Sequence, residues 1–178
     1  MTTVRLVRHG EPAEAVGHDP DLTELGTSQA VALVAALHPC ALVASPLRRA
    51  RSTVRPLEVA WGVEALIEPA VRELPSPASS SVDRATWLRV AMRGTFADLA
   101  PEHREWRDGI VEFVRSRTVD TVVVTHAVVI NALVGSCIGD DRVWHMFPAH
   151  TSITTVELDP TGALSVVELG RQATSRVV

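Results

Sequence analysis

The sequence predicts a single α/β domain, a three-layer α/β/α sandwich around a mostly parallel central sheet. Short β-branched or apolar runs alternate with longer segments of helical period along most of the 178 residues. Three of those runs lead into Arg8-His9, Arg48-Arg49 and His126, placing polar cargo at the strand exits where open α/β sheets bind ligands. No repeat of solenoid or propeller period and no long linker divides the chain, so the domain is expected to span 1–178.

Thr3–Val7 is a short β-branched run that ends in Arg8-His9-Gly10-Glu11, and a polar loop with Pro12, Gly17 and Pro20 follows. Thr23 is placed to cap a helix whose apolar stripe Ala30, Leu33, Val34, Leu37 has i, i+3, i+4, i+7 spacing; Pro39 ends it. Ala41–Ala44 predicts a buried strand, and Ser45-Pro46 the opening of a helix with proline in its first turn. A short strand is expected around Val63–Ile67, loop over 75–83, and helices over about 84–99 and 102–116. Thr121–Thr125 is the strongest buried-strand signal and runs into His126, with a helix expected over 127–138. Ser152–Leu158 and Leu164–Leu169 predict an antiparallel pair joined by the turn Asp159-Pro160-Thr161-Gly162.

Composition narrows the function classes. With 46% hydrophobic and 21% charged residues, the chain has the balance of a soluble domain with a real core. No apolar run is long enough to cross a bilayer, and Met1–Arg5 passes directly into strand-like sequence, so a cytoplasmic protein is expected. A net charge of −4 gives no reason to expect nucleic acid or an acidic membrane as partner. All 17 basic residues are arginine, and tyrosine is absent too. Schiff-base lysines, P-loop lysines and tyrosine acids are therefore excluded, and an anion must be bound by arginine, histidine or backbone amides. Cys40 and Cys137 form neither a disulfide framework nor a metal cage and read as small buried residues. His145 and His150 lack the clustered carboxylates or thiols of a metal site, so no metal and no cofactor is expected.

Arg8, His9, the pair Arg48-Arg49 and His126 converge on one rim if the strands lie parallel. Guanidinium forks bind phosphoryl oxygens in pairs, and imidazole can attack phosphorus or donate to an oxygen. The residues around them resemble a known family. Arg8-His9-Gly10-Glu11 is similar to the RHG signature of the histidine phosphatase superfamily, the phosphoglycerate mutase-like family. Leu22-Thr23-Glu24-Leu25-Gly26 with Gln29-Ala30 resembles its second block, and Ser45-Pro46-Leu47-Arg48-Arg49-Ala50 with Thr53 its third. Val122–His126 resembles the strand that delivers a second histidine. The matching blocks keep the family order over 4–55 and 119–135.

The resemblance implies that His9 is a nucleophile forming a phosphohistidine, and that Arg8, Arg49 and His126 hold the phosphoryl oxygens. Arginines nearby keep His9 neutral with a lone pair free, whereas His126, as a donor, can carry charge. Glu73, in Val71-Arg72-Glu73-Leu74, aligns with the family's acid and base; Glu11, beside the nucleophile, is the alternative. Three departures stand out: Pro75-Ser76-Pro77 replaces a glycine-rich continuation, Ala127-Val128 a Gly-Gly pair, and Pro12 a hydroxyl residue. The implied activity is a metal-free phosphomonoester hydrolase acting on a small phosphorylated substrate or a phosphoprotein. Alternatives are a phosphoglycerate-type mutase and a phosphate- or phosphoprotein-binding module without turnover. The short chain favours the hydrolase, because only 75–107 can form a lid to exclude water. The oligomeric state is not readable from the sequence. Arg51, Arg55, Arg89 and Arg93 read as surface charge, and the four tryptophans as packing residues.

Overall fold

The computed structural model of the protein describes residues 1–13, 19–77 and 81–173. Gly17 of the first polar loop, residues 78–80 of the second and residues 174–178 of the tail lie outside them. The chain forms strands β1 (Thr2–Arg8), β2 (Ala41–Ala44), β3 (Leu66–Ile67), β4 (Thr121–Thr125), β5 (Ile153–Leu158) and β6 (Leu164–Glu168). The helices are α1 (Glu24–Ala36), α2 (Arg48–Trp61), α3 (Ser81–Ala91), α4 (Pro101–Arg115) and α5 (Ala127–Ile138).

The strands make one sheet in the order β3-β2-β4-β1-β5-β6. The pairs β3-β2, β2-β4 and β4-β1 are parallel, while β1-β5 and β5-β6 are antiparallel. This is the mostly parallel α/β sandwich that the alternating pattern predicts. Side-chain alternation sends each strand's apolar residues to both faces. Val4, Leu6, Val43 and Val123 pack with Ile110 and Phe113 of α4 and Val129 and Leu133 of α5. Val7, Leu42, Ala44, Val122 and Val124 pack with Leu33 of α1 and Val54 and Leu57 of α2. All five β4 residues are buried, as its unbroken Thr-Val-Val-Val-Thr run requires of a strand covered on both faces.

Local chemistry sets the element ends. Thr23 caps α1, its hydroxyl accepting from Gly26 N at 2.9 Å. Gly162 takes the left-handed turn conformation (φ 88°) between β5 and β6, and Asp159 Oδ1 accepts from Thr161 N and Ala163 N. Two helices differ from expectation. α2 begins at Arg48 rather than Ser45, because Ser45 N still donates to Val124 O and extends the strand exit. α3 spans Ser81–Ala91 only; Thr95 and Asp98 form a capping box that starts a separate 3₁₀ turn, Phe96–Asp98, and buries Phe96. The expected third strand shrinks to Leu66–Ile67, an exposed edge of the sheet. Cys40 and Cys137 are half-buried rather than buried. Among the described residues, no helix is long and apolar enough to cross a membrane.

The loop after β1 rests directly on α1. A Cβ at Gly10 would stand 2.6 Å from Gly26 O, and one at Gly26 would run into the Glu11 backbone. The contact is backbone on backbone, so neither side can yield by turning a side chain. Gly26→Ala is therefore expected to cost about 2 kcal/mol of stability, read as a lower urea midpoint at unchanged slope. A midpoint equal to that of the parent would show that the loop moves freely.

Candidate active site

β1, β2 and β4 end side by side, and their exits assemble the site. His9 N donates to Thr125 O at 2.9 Å, linking the end of β1 to the end of β4. Residues from the helices hold the loop that follows. Gly10 N donates to Thr53 Oγ1 (2.9 Å), Thr53 Oγ1 donates to Arg49 O (2.7 Å), and Glu11 N donates to Gln29 Oε1 (2.8 Å). Thr23, Gly26, Gln29 and Thr53 thus have one shared physical task, to fix the backbone under His9.

The hydrogen bonds of His9 define its chemistry. Nδ1 lies 2.8 Å from Gly10 O, a group that can only accept, so Nδ1 carries the proton and Nε2 the lone pair. Arg49 Nε donates to that lone pair at 3.2 Å. Burial, then the Arg49 guanidinium, holds the His9 imidazole well below the ordinary histidine range. The ring is therefore neutral, as expected, although burial outweighs the arginines as the cause.

His126 follows β4, fully buried, its ring centroid 5.2 Å from that of His9. Its Nε2 is 2.7 Å from Ser45 Oγ, and Leu47 N donates to the same oxygen at 3.3 Å. His126 Nε2 is the one acceptor in reach of the buried Ser45 hydroxyl among the described residues, so the hydroxyl proton goes to Nε2 and Nδ1 carries the imidazole proton. Nδ1 is buried without a hydrogen-bond partner, 3.7 Å from Glu73 Oε2. Burial, then His9 and Arg49, pushes His126 well below the ordinary histidine range. The sequence argument lets His126 carry charge; in this burial it is a neutral donor.

Glu73 also stands 3.7 Å from Arg49 Nη2. Thr125 Oγ1 donates to Val71 O at 2.7 Å, which anchors the Glu73 segment to the end of β4. Burial raises the carboxyl above the usual range, with Arg49 and then Arg84 pulling the other way. Glu11, the alternative, is tied to the cap of α1, its Oε2 accepting from Thr23 Oγ1 at 2.8 Å. Arg8 Nη1 donates to Pro148 O at 2.8 Å, and its Nε is buried without a partner. Burial lowers both Arg8 and Arg49, yet a guanidinium stays cationic.

Arg8, His9, Arg49, Glu73 and His126 therefore come together. Arg48 is exposed and pairs with Asp21 at 3.2 Å, while Arg51, Arg55, Arg89 and Arg93 lie on the surface. Three neighbours escape the sequence argument. Ser45 reads there as a helix opener, although it heads the block shared with the family. Arg84 donates to Leu74 O at 3.3 Å and has no spacing signal that separates it from Arg89. His150 puts its ring centroid 5.6 Å from that of His9; its only signal is its place before a late strand. Among the described residues, no group of three or more His, Cys, Asp or Glu is placed to hold a metal ion.

Fold and site together define an α/β protein with a largely buried cluster of histidine and arginine side chains at the carboxyl rim of its sheet. The chain belongs to the histidine phosphatase superfamily, branch 1, whose model matches residues 4–170. Solved structures share the fold at low identity. YhfR of Bacillus stearothermophilus is 23% identical, with 94% of this chain and 96% of that one covered and a TM-score of 0.76. A mycobacterial glucosyl-3-phosphoglycerate phosphatase bound to VO3 is 22% identical (95% and 99% covered, TM-score 0.73). An Entamoeba histolytica phosphoserine phosphatase bound to 3-phosphoglyceric acid is 17% identical (97% and 98%, TM-score 0.73). A search of curated proteins gave no match.

Ser45→Ala removes the group that sets the proton of His126. Nitrogen NMR of the histidine rings should then show His126 losing its Nδ1–H preference, with about 1–3 kcal/mol lost from stability. A parent ring protonated at Nε2 would overturn the assignment.

Proposed function

We propose that the protein is a phosphomonoester hydrolase that works through a phosphohistidine on His9. The observation that carries this reading is the lone pair of His9 Nε2, oriented by Gly10 O and covered only by a guanidinium N–H. A phosphoryl group entering the pocket takes over that N–H. Arg8, Arg49 and the unpartnered Nδ1–H of His126 bind its three oxygens and offset the charge that develops in the transition state. Nε2 attacks phosphorus in line, the P–N bond forms, and the P–O bond to the leaving group breaks. Glu73 in its acid form, which burial favours by raising the carboxyl above the usual range, gives its proton to the departing alkoxide. The resulting carboxylate then takes a proton from water, which attacks the phosphohistidine and releases inorganic phosphate.

The substrate is a small phosphomonoester, in keeping with the phosphoserine phosphatase and the glucosyl-3-phosphoglycerate phosphatase among the similar structures. Residues 75–107 are the cover over this site within a single domain spanning 1–178. Their attachment supports this: Arg84 donates to Leu74 O, His103 Nε2 meets Pro75 O at 3.0 Å, and Trp106 Nε1 donates to Arg72 O at 3.0 Å. Two guanidiniums supply the positive charge that a metal supplies elsewhere, so turnover is expected to be indifferent to EDTA.

His9→Ala is expected to lower kcat on an aryl phosphate by about three orders of magnitude or more. Turnover surviving that change would exclude the mechanism. Glu73→Gln separates the leaving groups. Hydrolysis of the phosphohistidine is common to both substrates, so the comparison is made on leaving-group release in a single turnover. An alkoxide needs the proton and nitrophenolate does not, so the variant should slow that step far more for an alkyl phosphate than for nitrophenyl phosphate. The parent's alkyl phosphatase rate should fall as pH rises through the raised Glu73 value, where the carboxyl loses its proton, and Glu73→Gln should abolish that limb. Equal losses on both substrates would remove Glu73 from the acid role.

A further inference from the structure

A third histidine borders the nucleophile, and nothing in the proposed mechanism uses it. His150 Nδ1 lies 3.0 Å from His9 O, a carbonyl that only accepts, so Nδ1 carries a proton in either charge state of the ring. That bond is the ring's one hydrogen bond among the described residues, leaving Nε2 on the opposite edge open, and the residue is only half-buried. The segment that presents it is fastened to the phosphate-binding strand at several points. Arg8 Nη1 donates to Pro148 O, Thr151 N donates to Arg8 O at 2.9 Å, and Arg8 N donates to Ser152 O at 3.2 Å. Ala149 N donates to Arg171 O at 2.8 Å. Thr151 has φ 54°, the one positive value among the described non-glycine residues. A β-branched residue held there costs free energy, and such strain persists only where surrounding contacts enforce it.

The geometry points to His150 as a further ligand of the bound phosphoryl group, one that takes up a proton at Nε2 as the dianion enters. This rests on the phosphoryl-binding reading of the pocket. A neutral Nε2 is an acceptor and repels a phosphoryl oxygen, whereas a protonated one donates a charge-assisted bond. The charged and titratable groups facing the ring among the described residues are Arg8, Glu11, neutral His9 and Arg171, whose Nη2 reaches His150 O at 3.4 Å. Burial, then Arg8, keeps the empty site's ring below the ordinary histidine range, with Glu11 opposing. Two negative charges beside Nε2 reverse that balance. Phosphate binding and proton uptake are then one linked event, and phosphate affinity gains from low pH for as long as His150 is present.

The test is a pH titration of the histidine rings by NMR, with and without inorganic phosphate, His150→Asn identifying the His150 signals. Asparagine keeps an N–H for His9 O but cannot take up a proton. Phosphate should raise the midpoint of His150 in the parent. His150→Asn should weaken phosphate binding by about tenfold at a pH where the parent ring is charged in the complex, with the gap closing as pH rises. Phosphate that moves the His9 and His126 signals but leaves the His150 midpoint in place overturns the proposal and spares the pocket. Phosphate that moves none of the three overturns both.

Discussion

Two guanidiniums, Arg8 and Arg49, are held largely out of water at one end of the sheet, with the mostly covered carboxyl of Glu73 beside them and the more exposed Asp19 3.8 Å from Arg49. Burying charge is costly unless it is paired and hydrogen-bonded. Here the pairing is incomplete: Arg8 Nε and His126 Nδ1 lack partners, and Glu73 stays 3.7 Å from both Arg49 and His126. Among the described residues the site carries an excess of positive charge and of donors, the feature that the proposed phosphoryl ligand would answer. The rest of the structure supports that arrangement. Strands β1, β2 and β4 bring the groups to one rim, and the backbone contact of Gly10 on Gly26 fixes the height of the loop that carries His9.

Burial, with the guanidiniums acting in the same direction, accounts for the protonation states. An imidazole buried beside guanidiniums is neutral, and a neutral imidazole has a lone pair. Gly10 O takes the proton-bearing nitrogen of His9, and Ser45 decides which nitrogen of His126 bears its proton. Two identical side chains 5.2 Å apart thereby differ, one with a lone pair and the other with an N–H toward the site, and in the proposed mechanism the first attacks phosphorus and the second donates to oxygen. Desolvation makes both rings neutral, and their different hydrogen-bond partners make them different.

Much of this was legible in the sequence, and the legible part has a common physical origin. Strand β4 is a five-residue apolar and β-branched run, α1 has a full apolar stripe with a cap, and both are strong local signals. Arg49 is separable from Arg48 because the block it shares with the family places it before Ala50, and in the fold it points inward while Arg48 meets Asp21 in solvent. The illegible part is tertiary. Ser45 looks like a helix opener until the bond from its N–H to Val124 O is seen. Arg84 differs from Arg89 only in where α3 lies. His150 belongs to the site because β5 pairs antiparallel with β1, a pairing that no local pattern writes into the residues before Ile153.

The central claim is that His9 Nε2 makes a covalent bond to phosphorus. The direct measurement is intact-protein and peptide mass spectrometry of enzyme quenched under basic conditions during turnover of nitrophenyl phosphate. Glu73→Gln should slow hydrolysis of the intermediate and so enrich it. A phosphoryl adduct on His9 that is labile to acid and absent from His9→Ala is the predicted result. Sustained turnover with no adduct on His9, or an adduct on another residue, would contradict the account.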